Sequence, residues 1–212
     1  MVKTGRRATA LAALLTRAGH QPATAPPAPR MASLDDSHRE SVTALYEALG
    51  GRLEPTALRP GAWDLSFGDL VLELDEELHF NRYRALALAG TWAKDLPWRA
   101  AYARTCVTHE PRCVKAGGWG RRWTSPSSAK HFGAGDPPGM FDDEGSPRWK
   151  QRAVYDALKD AASLCAGGPR LARLSVHDAV NGVVLEDGLD GRTALDLDGL
   201  LELIRQRTTE AR

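Results

Sequence analysis

Residues 63–75 read as two short apolar runs broken by a turn: Trp63–Phe67, then Gly68-Asp69, then Leu70-Val71-Leu72-Glu73-Leu74-Asp75. Two such runs joined by a Gly-containing dipeptide predict a β-hairpin. The second run is apolar at both alternating sets of positions, so its strand is predicted to be covered on both faces. Elsewhere the spacing turns helical. Val42, Leu45, Tyr46 and Leu49 recur at helical intervals after Asp36 and Ser37, either of which can cap, and Gly50-Gly51 ends the segment. Asn81–Ala89 and Trp98–Cys113 predict two more helices, parted at Pro97. Ser146-Pro147 supplies a cap and a first-turn proline for a helix with Trp149, Ala153, Leu158, Ala161 and Leu164 on its apolar face, closed by Gly167-Gly168-Pro169. Arg52–Leu58 and Leu171–Val176 are further strand predictions, and Asp198–Arg207 is a final amphipathic helix. Residues 116–147 are rich in Gly, Pro and Ser and predict a long irregular insertion, a length that is usually functional or disordered. The order α-β-β-β-α-loop-α-β-α predicts a mixed α/β sheet flanked by helices.

The chain of 212 residues suits one core with appendages. Residues 1–34 predict a basic, amphipathic or partly disordered arm and linker. They contain Lys3, Arg6, Arg7, Arg17 and Arg30, a short Ala-rich apolar stretch at Ala8–Leu15, and the Pro/Ala-rich QPATAPPAPR. An arm is preferred to a targeting peptide because Thr16-Arg17 interrupts the apolar stretch. Residues 35–212 then form a single α/β domain. Three cysteines are too few for a disulfide framework, which places the chain in the cytoplasm. No apolar run approaches the ~20 residues of a membrane span, so no membrane partner is expected. The net charge of +1 argues neither for nor against nucleic acid.

The candidate chemistry lies at the end of the apolar strand. Glu73 and Asp75 share a strand face, Asp64 precedes Glu73 across the hairpin, and His79 follows. Carboxylates gathered at the end of a buried strand repel one another and are costly to desolvate. A divalent cation removes that cost, and an oxygen-rich set suits Mg²⁺ or Mn²⁺. The plainer reading is a solvated turn running into a helix start, which accounts for Glu76 and Glu77. A buried Glu73 would then be neutralised by an arginine such as Arg82 or Arg84.

The arrangement Asp64…Glu73-Leu74-Asp75…His79 resembles the PD-(D/E)XK, or restriction-endonuclease-like, superfamily, in its very-short-patch-repair and DUF559-type flavour. That signature reads D, a short hairpin, apolar-E-x-D-G-x-x-H, on an αβββαβ core. The resemblance covers roughly residues 36–80. It implies Mg²⁺-dependent phosphodiester hydrolysis, with DNA rather than RNA as partner. By resemblance, Asp64 and Glu73 hold the metal, Asp75 holds metal or positions water, and His79 acts as base. The lysine of the superfamily's E-x-K half-motif is absent, since Asp75 stands there, and Glu76 replaces the glycine. Lys150, at the start of the Ser146 helix, is the candidate to supply the missing charge from a helix. The alternative is a catalytically silent relative acting as a nucleic-acid-binding or interaction module, its acids taken up by arginines. The phrases ELDEELHFNRYR (73–84) and SPRWKQRAVYDALKD (146–160) also resemble an uncharacterised bacterial family.

Two further clusters stand out. Cys106, His109 and Cys113 share one helical face and offer three zinc ligands, with His131 or His79 as a fourth; core-facing cysteines are the preferred reading. GGWGRRW, with Arg121, Arg122 and Trp123, together with Arg148 and Arg152, can contact phosphates and stack on a base. A Gly-rich loop anchored by tryptophan in the core explains the same residues.

Overall fold

The computed structural model describes residues 5–118 and 120–210. In chain order the elements are α1 (Arg6–Arg17), α2 (Asp36–Ala48), β1 (Leu65–Phe67), β2 (Leu70–Asp75), α3 (Arg82–Ala89), α4 (Arg99–Gly117), α5 (Pro126–Phe132), α6 (Pro147–Leu164), β3 (Arg170–Ser175), β4 (Ala179–Val180), β5 (Val183–Val184), α7 (Leu185–Leu189) and α8 (Leu197–Gln206). The protein is mixed α/β. Where a single domain from residue 35 is expected, the chain divides into two compact units: residues 1–27, 62–76 and 166–212, and residues 28–61 and 77–165.

The first unit is built on the sheet β1-β2-β3. β1 and β2 form the antiparallel hairpin predicted from the sequence, with Phe67 opposite Leu70. Gly68 takes φ +60 at the first turn position, as a type II′ hairpin requires. β3 runs parallel to β2, pairing Val71 with Leu171, Glu73 with Arg173 and Asp75 with Ser175. Side chains alternate, so Leu72, Leu74, Ala172 and Leu174 fall on one face. They pack there with Leu11 and Leu15 of α1, Leu185 and Leu189 of α7, and Leu200 and Ile204 of α8. The other face carries Val71, Glu73, Asp75, Leu171, Arg173 and Ser175, all buried.

One expectation is refined in this unit. Residues 6–17 are an amphipathic helix with Leu11 and Leu15 buried, the first of the two alternatives for the arm. Lys3, placed in that arm, lies outside the described residues. Pro22 also bridges Phe67 at the edge of the sheet. A second hairpin, β4–β5, turns on Asn181 and Gly182, both at positive φ, which is the type I′ pattern of an Asn-Gly dipeptide.

The second unit is helical around α6, which contacts α2, α3 and α5. Of the residues of α6 only Arg148, Arg152 and Tyr155 are not buried. Ser146 Oγ caps α6 by accepting from Trp149 N at 3.2 Å. Asp35, rather than Asp36 or Ser37, caps α2 through His38 N. The strand expected at Arg52–Leu58 is absent; Pro55–Ala57 form a 3₁₀ turn instead. Pro55 withholds a ladder donor in mid-segment, so among the described residues the sheet has two consecutive strands where αβββαβ requires three. α4 continues past Pro111 to Gly117, beyond the predicted end at Cys113.

Candidate functional site

The predicted metal carboxylates lie in the first unit. Beyond the last ladder pair, Leu65 with Leu72, the hairpin closes through side chains. Asp64 N donates to Glu73 Oε1 at 3.2 Å, and Leu74 N donates to Asp64 Oδ2 at 3.0 Å. Each acid thus accepts a backbone N–H of the opposite strand, which holds the two carboxylates at one end of the hairpin. Glu73 is 4% exposed, while Asp64 is exposed to solvent. The pair therefore joins a desolvated oxygen donor to one that water can reach.

Asp75 is engaged differently. Both its oxygens accept from Arg173 Nη1, at 2.9 and 2.8 Å, and the two side chains are 1% and 0% exposed. A buried guanidinium already supplies the positive charge that a metal would bring. Among the described residues, Asp64, Glu73 and Asp75 do not bring one oxygen each within 4.8 Å of one another. The three-carboxylate Mg²⁺ set therefore does not fit this geometry. Two members of it, Asp64 and Glu73, retain suitable chemistry.

The remaining predicted residues lie in the second unit. His79 ends the 3₁₀ turn Glu77–His79, and its Nδ1 lies 2.8 Å from Oδ2 of buried Asp156. A buried carboxylate on one imidazole nitrogen fixes the ring's orientation, as a general base requires. Lys150 is buried in the first turns of α6, with Nζ 3.5 Å from Glu144 Oε2. The arginines nominated to neutralise the acidic strand each pair with an acid of the second unit. Arg82 pairs with Glu110 at 2.8 Å, and Arg84, fully buried, pairs with Asp160 at 2.7 Å.

The basic aromatic stretch is largely structural. Trp123 is 3% exposed, stacks edgewise on Trp149 and Phe141, and donates Nε1–H to Asp136 O at 2.7 Å. It cannot stack on a base while so placed, which corrects its assignment to nucleic acid. The Asp136 carboxylate accepts from the N–H groups of Asp143, Glu144 and Gly145, which draws its pKa below the usual range. These bonds pin a segment expected to be irregular. Arg121 and Arg122 are exposed, with Arg122 donating to Ala116 O at 3.2 Å; Trp119 lies outside the described residues. Arg148 bonds Gln151 at 2.6 Å and Arg152 bonds Leu78 O at 3.2 Å.

Cys106, His109 and Cys113 do not converge as zinc ligands among the described residues. Both cysteines are buried, and burial pushes the Cys113 thiol up to about 12. His131, considered as a fourth ligand, lies with Nδ1 3.1 Å from Tyr46 Oη.

The sheet and site thus define a mixed α/β protein with an acidic hairpin and a buried Asp–Arg pair. Residues 44–190 match a family of unknown function (DUF7255), and the chain belongs to that family. No curated protein and no solved structure matches the chain. Among the described residues, no helix is long and apolar enough to cross a membrane.

Proposed function

We propose that the protein is a divalent-metal-dependent phosphodiester hydrolase acting on DNA, with Asp64 and Glu73 as its metal carboxylates. The observation that carries this reading is Glu73. It is a carboxylate 4% exposed between Leu72 and Leu74, held beside Asp64 by reciprocal backbone bonds. The resemblance of Asp64…Glu73-x-Asp75 to restriction-endonuclease-like proteins supports the same assignment. An ion held there would lower the pKa of a bound water and stabilise negative charge on a phosphoryl oxygen. Asp64 and Glu73 would orient it, and the hairpin would keep their spacing fixed. Asp75 takes no part in this reading as a ligand, because Arg173 occupies both its oxygens.

A second reading rests on that same arginine. The register sets Arg173 opposite Glu73 while its side chain binds Asp75, so one guanidinium serves the acidic face of the strand. A silent relative, working as a nucleic-acid-binding or interaction module, would be built this way.

Incubation of supercoiled plasmid with Mg²⁺ or Mn²⁺ separates the two readings. The hydrolase nicks DNA in the wild type, is stopped by a chelator, and is abolished in Glu73→Ala of retained fold. Equal nicking by both proteins, or none by either, refutes the hydrolase.

A further inference from the structure

We infer that Asp35, His38 and Cys165 form a zinc(II) site within the second unit. Asp35 and His38 stand at the start of α2, and Cys165 is the residue after α6, a helix that packs on α2. The three side chains offer one carboxylate oxygen, one imidazole nitrogen and one sulfur, all within 4.8 Å of one another. His38 Nδ1 lies 2.8 Å from Asp35 Oδ2 and 3.9 Å from Cys165 Sγ.

The geometry separates a chelate from a catalytic triad. In a triad the carboxylate and the nucleophile address opposite ring nitrogens. Here both address Nδ1, so the imidazole cannot relay a proton between them. Three donors of different hardness meeting at one point suit a borderline-soft cation, and Cys, His and Asp are all zinc ligands. Ordinary Zn–S and Zn–N lengths place sulfur and nitrogen ~3.5 Å apart, and nitrogen and oxygen ~3.3 Å apart, in a tetrahedron. Shifts of about half an ångström from the present positions reach those values.

Two hydrogen bonds must give way. The Cys165 thiol donates to Ala161 O at 3.4 Å, and Nδ1 bonds the Asp35 carboxylate. Zinc replaces both: the Sγ proton and the Nδ1 proton pass to solvent or, for the imidazole, to Nε2. Cys165 is 6% exposed and Asp35 is exposed, so the buried sulfur anchors the ion while solvent reaches the remaining coordination position.

The test is titration of the full chain with Zn²⁺ and with Co²⁺ as its spectroscopic stand-in. The expected result is one ion per chain, with a thiolate-to-cobalt charge-transfer band. Cys165→Ser and His38→Ala lose that band with an unchanged far-ultraviolet dichroism spectrum, whereas Cys106→Ser and Cys113→Ser keep it. Glu73→Gln also keeps it, so the zinc site stands or falls separately from the hairpin carboxylates. Absence of the band from folded wild type, or its persistence in Cys165→Ser, overturns the assignment.

Discussion

Replacing Arg173 with methionine isolates the role of Asp75. The substitution keeps an unbranched apolar stem and removes the guanidinium. Asp75 is 1% exposed and receives two bonds from Arg173 Nη1, so its carboxylate would remain buried without that partner. Breaking one side of a buried ion pair costs about 3–5 kcal/mol, mostly the desolvation of the charge left behind. For a chain of this length that corresponds to a fall in Tm of about 6–20 °C. Asp75→Leu should cost a similar amount, because it removes the carboxylate that accepts both bonds from Arg173 Nη1. Joining Arg173→Met with Asp75→Leu removes both charges and should recover most of the loss, to within about 2 kcal/mol of wild type. Urea denaturation followed by tryptophan fluorescence measures all four proteins of this cycle. A single variant Arg173→Met within about 1 kcal/mol of wild type would refute the structural role of the pair. So would losses in the two single variants that simply add in the double.

Trp123→Ala should destabilise the fold by about 3–5 kcal/mol through the cavity it leaves beside Trp149 and Phe141, and urea denaturation reads this directly. Lost DNA binding at full stability would show that the ring serves a ligand instead. Asp35→Ala should cost about 1 kcal/mol by removing the α2 cap. The backbone and side-chain hydrogen bonds from His38 hold the Asp35 carboxyl down to about 2, so this contribution is present above about pH 4 and fades as pH falls toward 2. The wild-type and Asp35→Ala unfolding midpoints should therefore converge at low pH; a gap that widens there contradicts the linkage. Cys113, pushed up to about 12 by burial, should resist alkylation at neutral pH in the native protein and react only with denaturant. Peptide mass mapping of the labelled sites checks this.

The local elements were legible because their signals are local. Gly68-Asp69 between two apolar runs fixed the β1–β2 hairpin, and Ser146-Pro147 marked the start of α6. β1 begins at Leu65 rather than Trp63 because the Asp64 and Glu73 side chains, not the backbone ladder, satisfy the next donors. The Asn181-Gly182 turn carried an equally local signal that predicts β4–β5, and it was open to the same reasoning. Leu11 and Leu15, spaced by four, marked the amphipathic alternative for the N-terminal arm. Partners were not legible. Arg173 lies 98 residues from Asp75, and Asp156 lies 77 residues from His79. Nothing in the neighbourhood of either sequence position distinguishes those partners from Arg82 or Arg84, which the fold commits to Glu110 and Asp160. Asp156 did carry one clue. It is an acid one helical turn before Asp160, so two like charges share one side of α6 and call for partners. The fate of Trp123 turned on tertiary burial, which a Gly-rich sequence context does not report.

Calorimetric titration of Mg²⁺ into the folded wild type and into Glu73→Gln tests most directly whether the hairpin acids serve an ion. The substitution keeps the size and one carbonyl oxygen of Glu73 while removing its charge. One ion per chain in the wild type, with affinity at least ~100-fold weaker in Glu73→Gln, is the predicted result. Equal binding by the two proteins, or no binding by the wild type, would contradict it and leave Glu73 as a buried structural acid.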